Sequence, residues 1–207
     1  MATIFRTWSY QYPWLYAAVS WLATLGVGGE NRFHQLPLQG LTLTPDTRIL
    51  DLCCGGGQAT QFLVQKSQKV TGLDASPVAL KRAALIAPQA DYVQAMAESM
   101  PFADAEFDLV HTSVALHEMT PEQLRQILQE VYRVLKPNGI FTFIDLHRPH
   151  NVLFWPPLAI FLWLFETETA WQLIQTDLTM ILTAVGFRDC QTRDYAGGSL
   201  QVIQSQK

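Results

Sequence analysis

Two carboxylates bracket a run of small residues in ILDLCCGGGQAT and KVTGLD: Asp51 stands four residues before Gly55, and Asp74 follows Asp51 by 23 residues. A strand-like run ends at Leu52. Three consecutive glycines then let the backbone turn tightly and approach a ligand, before a helix begins with its free N–H groups facing that ligand. This is the local chemistry of a nucleotide-type site. It lacks the Lys and Ser/Thr pair of a phosphate-binding loop, so NTP hydrolysis has no support. A dinucleotide fingerprint needs a third glycine, and Gly55, Gly57 and then Thr60 fill its places, which disfavours a nicotinamide-dependent oxidoreductase as the alternative. Asp51 would repel a pyrophosphate but could attract an ammonium group directly or through water. Asp74, at the tip of a second strand, could accept hydrogen bonds from both hydroxyls of a ribose.

Further groups able to move protons cluster after two later strand-like runs. His111 stands at the end of the run at 107–112 with His117 and Glu118 after it, and Asp145, His147 and His150 surround the end of the run at 139–146. If an acceptor is a phenol or an activated carbon, one of these could take or give a proton, and His117 and His147 are the candidate catalytic residues. Each also has a structural reading. His117 and Glu118 could cap a helix starting near Pro121, His147 sits in a polar turn before Pro149, and Asp145 could simply end a strand. The three cysteines, with Cys53 and Cys54 adjacent, form neither a disulfide framework nor the spaced pairs of a zinc site. No metal is expected, and a reducing, cytoplasmic compartment fits.

The elements that must position these groups alternate regularly from Thr47. Short apolar runs at 48–52, 69–73, 91–94, 107–112 and 139–146 read as strands. Helices are expected at Gln58 to Gln65, at Pro77 to Ala87 with Ser76 as N-cap, and at Pro121 to Leu135 before LysProAsnGly. Such succession implies right-handed crossovers and a parallel sheet covered on both faces. The rhythm is lost for about twenty residues after Leu146, where a substrate-facing segment would sit. It returns with a helix from about Thr169 to Val185, closed by Gly186. Phe187 to Asp194 and Ser199 to Gln204 then form a hairpin, because TyrAlaGlyGly is too short for a crossover.

At 207 residues and 49% hydrophobic, the chain supports one core: a helical cap over 1–45, a cofactor-binding core over 46–146, and a substrate-side segment with the hairpin over 147–207. Fourteen basic against eighteen acidic residues leave −4, which argues against a nucleic-acid partner. No secretory signal pattern opens the sequence. The apolar stretches at 13–27 and 152–165 are too short to cross a bilayer, although peripheral membrane contact stays open. Trp8, Tyr10, Tyr12, Trp14 and Tyr16, and later Phe154, Trp155, Phe161, Trp163 and Phe165, favour a small lipophilic or aromatic acceptor. Monomer and homodimer are both compatible.

Over residues 45–146 the chain resembles the class I S-adenosylmethionine-dependent methyltransferases, particularly the type 11 subgroup that includes small-molecule and quinone C-methyltransferases. LDLCCGGG resembles the first motif, LDAS the ribose-binding acid, AMAESMPFADAEFDLV the adenine and fourth-strand region, and EVYRVLKPNGIFTFID the helix and strand that follow. The resemblance implies an α/β, Rossmann-like seven-stranded sheet, mostly parallel with an antiparallel last strand, and methyl transfer from S-adenosyl-L-methionine to a small molecule. A non-catalytic domain binding this cofactor for a partner is the alternative. It further implies Asp51, Gly55 and Gly57 around the methionine part, Asp74 on the ribose, Ala75 beside the adenine, the Ala97 N–H on its ring, and His111 or Thr112 on the methionine side. Cys53 replaces the usual first glycine, as in CysCysGly variants among quinone C-methyltransferases. Met96 stands where many members carry an adenine-binding Asp, a place Glu98 could fill instead.

Overall fold

The computed structural model describes Thr24 and residues 26–207. The expected cap over 1–45, with its aromatic residues from Trp8 to Tyr16, lies largely outside the described residues. Within them, a short helix α1 (Glu30–Gln35) and a 3₁₀ turn (Leu36–Leu38) lead into the sheet.

Seven strands follow: β1 (Arg48–Leu52), β2 (Lys69–Asp74), β3 (Asp91–Gln94), β4 (Phe107–Ser113), β5 (Leu135–Leu146), β6 (Arg188–Tyr195) and β7 (Leu200–Gln206). They form one sheet in the order β3-β2-β1-β4-β5-β7-β6. The first five are mutually parallel, while β7 runs antiparallel to both β5 and β6. Strand order reverses between β1 and β4, and ligands in open α/β sheets bind outside the carboxyl ends at such a switch point. The register there pairs Asp51 of β1 with His111 of β4.

Period-two alternation explains why the sheet is buried on both faces. Along β1, Ile49 joins Leu63, Val70 and Leu109 on one face, whereas Leu50 and Leu52 join Val110, Phe141 and Phe143 on the other. Along β5, Phe141 and Phe143 enter that second cluster while Ile144 and Leu146 turn to the opposite side, against Leu158, Leu162 and Ile174.

Helices α2 (Thr60–Leu63), α3 (Pro77–Ile86) and α4 (Pro121–Val134) are the crossovers. α2 is shorter than the expected 58–65 because the glycine loop continues as turns up to Ala59. Ser76 caps α3 by accepting from the Ala79 N–H. Thr120, not His117 or Glu118, caps α4, in a reciprocal box with Gln123.

Two sequence expectations are corrected beyond β5. The unpatterned segment contains a helix, α5 (Trp155–Phe165), whose Pro156 and Pro157 are harmless because first-turn N–H groups have no intrahelical partner. The single helix expected over 169–185 is two, α6 (Glu168–Leu173) and α7 (Leu178–Val185). Asp177 makes the break by accepting from the N–H groups of Thr179 and Met180, which starts a new helix. Gly186, at φ 121, closes α7. β5 also begins four residues before the expected Gly139.

Candidate active site

The turn from β1 to α2 has residues Cys53, Gly55 and Gly57 at φ 54, 53 and 86. Only glycine adopts such angles without strain, so Cys53 in the usual glycine place holds a conformation costly to a side chain. The glycines divide their work. A Cβ on Gly55 would meet nothing, so this backbone borders open space, whereas a Cβ on Gly57 would lie 2.9 Å from the Ala83 Cα. Gly57 thus serves the seating of α3 under the loop, and Gly55 is the one available for close approach.

Asp74 ends β2 beside this loop. One carboxylate oxygen accepts from the Gly55 N–H at 2.9 Å and the other from the Ser76 N–H at 2.8 Å. The side chain is partly exposed and each oxygen keeps a lone pair, so it can still receive hydroxyl donors. Asp51 differs. It is buried, with one oxygen accepting from Thr60 Oγ1 at 2.6 Å and the other 2.9 Å from His111 Nδ1. Direct contact with a ligand ammonium, one of the two routes expected from sequence, is closed by this burial. What Asp51 supplies is negative charge under the loop and an anchor for the first residue of α2.

Burial first, then the carboxylates of Asp74, Asp51, Glu118 and Glu98, push the Cys53 thiol up to about 12, and Cys54 is raised for similar reasons. Neither is a thiolate nucleophile at neutral pH. Around the switch point, His111 Nε2 and Thr112 Oγ1 are buried and without a hydrogen-bond partner among the described residues. Buried polar atoms usually find a partner, so these two are sockets for a polar ligand or water.

On the adenine side, Met96 is 56% exposed and Ala97 is buried. Ala75 is exposed and its carbonyl accepts from Gln94. Glu98 is held by Gln123 Nε2 at 2.8 Å, so the proposed stand-in for the adenine-binding acid is already engaged by the α4 cap. Arg133 steadies the loop that follows, donating to the carbonyls of Met100 and Phe102 while pairing with Glu130 and Asp104.

His117 lies at the carboxyl edge between β4 and β5 but is buried, its Nδ1 2.7 Å from Asp145 and its Nε2 3.5 Å from Glu166. Burial opposes the charge, yet the attraction and hydrogen bond of Asp145, followed by those of Glu166, raise its pKa to about 10. Both ring nitrogens of His117 face carboxylates, so in this arrangement neither is presented to open space where an acceptor could meet it. Asp145 also accepts from the Leu116 and Leu146 N–H groups, so it organises both strand exits instead of merely ending one. His147 does not join this group. Its Nδ1 donates to the Gly198 carbonyl, and it faces a separate cleft with His150. Sequence reasoning missed Thr60 and Glu166 as partners. The only signal for Glu166 was that the apolar run 152–165 stops there.

S-adenosylmethionine fits these residues: open space over Gly55 adjoins a carboxylate with spare lone pairs at Asp74, and beside Asp51 the buried Nε2 of His111 is without a partner among the described residues. Residues 49–139 match the family described as Methyltransferase domain. A protein of Synechocystis sp. (strain ATCC 27184 / PCC 6803 / Kazusa), described as an uncharacterized methyltransferase, is 68% identical over 205 residues, 99% of this chain and 97% of that one. A 2-phytyl-1,4-naphtoquinone methyltransferase of Nostoc sp. (strain PCC 7120 / SAG 25.82 / UTEX 2576) is 31% identical over 139 residues, 63% of this chain and 60% of that one. A demethylmenaquinone methyltransferase of Renibacterium salmoninarum is 26% identical over 193 residues, 84% of this chain and 80% of that one. The solved structure of an S-adenosylmethionine-dependent methyltransferase of Thermotoga maritima, described as a possible histamine N-methyltransferase, aligns over the whole of both chains with a TM-score of 0.68 at 18% identity, a likeness of fold. The chain belongs to the methyltransferases. The bound cofactor supplies an electrophilic methyl group on a sulfonium; the protein's task is to hold an acceptor in line with it and keep water away.

Proposed function

We propose that the acceptor is a lipophilic quinol or phenol, methylated on its ring. The observation that carries this is the apolar segment leaving β5: Val152 and Leu153 in a 3₁₀ turn (Val152–Phe154) and Ile160 and Trp163 on α5 are each more than half exposed, while Leu158 and Leu162 of α5 are buried against the sheet. That much exposed apolar surface at the carboxyl side of the sheet suits an acceptor with a hydrocarbon tail. Two of the relatives named above are described as quinone methyltransferases, of 2-phytyl-1,4-naphtoquinone and of demethylmenaquinone. Among the described residues no helix is long and apolar enough to cross a membrane, so a tailed acceptor would be met from the membrane surface or in dispersed form.

In this reading Asp74 holds the ribose, Gly55 the methionine part, Ala75 and Met96 flank the adenine, and Ala97 offers its N–H to the ring. Asp51 and Cys53 shape the loop from below, and His111 and Thr112 complete the methionine side. His117 is a positioning residue: it ties Glu166, just past α5, to Asp145 at the end of β5. The acceptor's ring carbon bonds to the methyl carbon as the methyl–sulfur bond breaks, the sulfur leaves as a neutral thioether, and the displaced ring proton passes to water. The test is incubation with methyl-labelled S-adenosylmethionine and reduced quinones bearing long or no prenyl tails, with histamine as the polar comparison. Label in the tailed quinol, absent from histamine, is expected. Equal or greater transfer to histamine, or none to any quinol while the cofactor still binds, would overturn the assignment.

A further inference from the structure

His147, His150 and Asp194 lie outside the cofactor site, yet one ligand atom from each comes within 4.8 Å of the others. The backbone brings them together. The segment after β5 is sewn to the β6–β7 turn by hydrogen bonds from the His147 N–H to Ser199 and from the His150 N–H to Gly197. Gly198, at φ 93, lets that turn approach so closely that a Cβ there would stand 2.6 Å from the His150 ring. Asp194, one residue before the end of β6, completes the group, with its Oδ2 2.7 Å from His150 Nε2.

The tautomer of His147 suits a metal, whereas His150 Nε2 would exchange its hydrogen bond to Asp194 for the ion. His147 Nδ1 donates to the Gly198 carbonyl at 2.9 Å, which fixes the tautomer and leaves the lone pair on Nε2. Backbone carbonyls hold metal-binding histidines in this way. Two imidazoles and one carboxylate suit a zinc-class ion with one coordination position left over, and do not suit magnesium or calcium, which prefer all-oxygen shells. Zinc at about 2.0–2.1 Å from each ligand would set the ligand atoms roughly 3.3 Å apart. His150 and Asp194 are exposed enough to rotate into that spacing. The two histidines line an open cleft of about 650 Å³ together with Asp177 and Gln201. Gln201 is only 4% exposed and its Nε2 has no hydrogen-bond partner among the described residues, a buried donor left for an oxygen in that cleft.

We infer that His147, His150 and Asp194 form a binding site for a zinc-class divalent ion that clamps the exit of β5 to the β6–β7 hairpin. The test uses tag-free, chelator-treated full-length protein titrated with Zn²⁺ and, separately, Mg²⁺. One Zn²⁺ per chain is expected, with Mg²⁺ giving no binding isotherm. His150→Ala and Asp194→Asn change exposed side chains, and each is expected to weaken Zn²⁺ at least tenfold while melting as the parent does in the absence of metal. Substituting Co²⁺ distinguishes this site from the cysteines, because nitrogen and oxygen ligands give no sulfur-to-cobalt charge-transfer band. Absence of one-to-one binding, unchanged affinity in both variants, or a thiolate band would each overturn the site.

Discussion

Single side chains set how this site responds to pH and to substitution. Asp74 holds the loop through Gly55 and has lone pairs left over, so Asp74→Ala removes both an anchor and a ligand acceptor. Calorimetric titration with S-adenosylhomocysteine should show affinity falling tenfold or more, and unchanged affinity would remove Asp74 from the cofactor site. His117 contributes a pH dependence of its own on the alkaline side. Its folded pKa, about 10, lies above the ordinary 6.5, so the stability it contributes is complete below about pH 6.5 and is lost as pH rises through 10. Urea midpoints measured from pH 6.5 to 10 should fall more steeply for the parent than for His117→Gln. Parallel curves would mean the imidazolium contributes nothing. If His117 positions Glu166, the same variant should raise KM for the acceptor more than it lowers kcat.

At the scale of elements, close approach and capping decide how the strands and helices meet. Gly57→Ala would drive a methyl into the Ala83 backbone at a positive φ, and it should destabilise the fold by about 1–3 kcal/mol, read from the denaturant midpoint. Gly55→Ala has the space but not the backbone freedom, so it should cost less stability and reveal itself chiefly in cofactor affinity. Thr120→Ala opens the capping box of α4 and should cost about 1 kcal/mol. Because Gln123 in that box also holds Glu98, a small loss of cofactor affinity should accompany it.

For the whole molecule, cofactor binding and folding are linked through the switch point between β1 and β4. Saturation with S-adenosylhomocysteine at a hundred times its Kd should stabilise the chain by about 2.7 kcal/mol. For a domain of this size that is a rise in Tm of roughly 5–10 °C, which differential scanning calorimetry would read. No rise at that saturation would place the ligand on the unfolded chain as well as the folded one.

Residue types and spacing alone determined the alternating strands and helices, the hairpin forced by TyrAlaGlyGly, and the Ser76 cap. These are local: period, turn chemistry and caps act over a few residues, and the sequence carries them directly. The break at Asp177 was also local, but one capping acid inside an apolar pattern is easily read as a solvent-facing residue of a single helix. Tertiary structure alone decided which groups meet across long sequence separations. It buried Asp51 between Thr60 and His111, charged His117 by enclosing it between Asp145 and Glu166, and brought His147 and His150 to Asp194. Each outcome depends on strand order and register, which no short window encodes. Protonation then follows from the dielectric and the neighbours that packing supplies, so it becomes defined only once the sheet has closed.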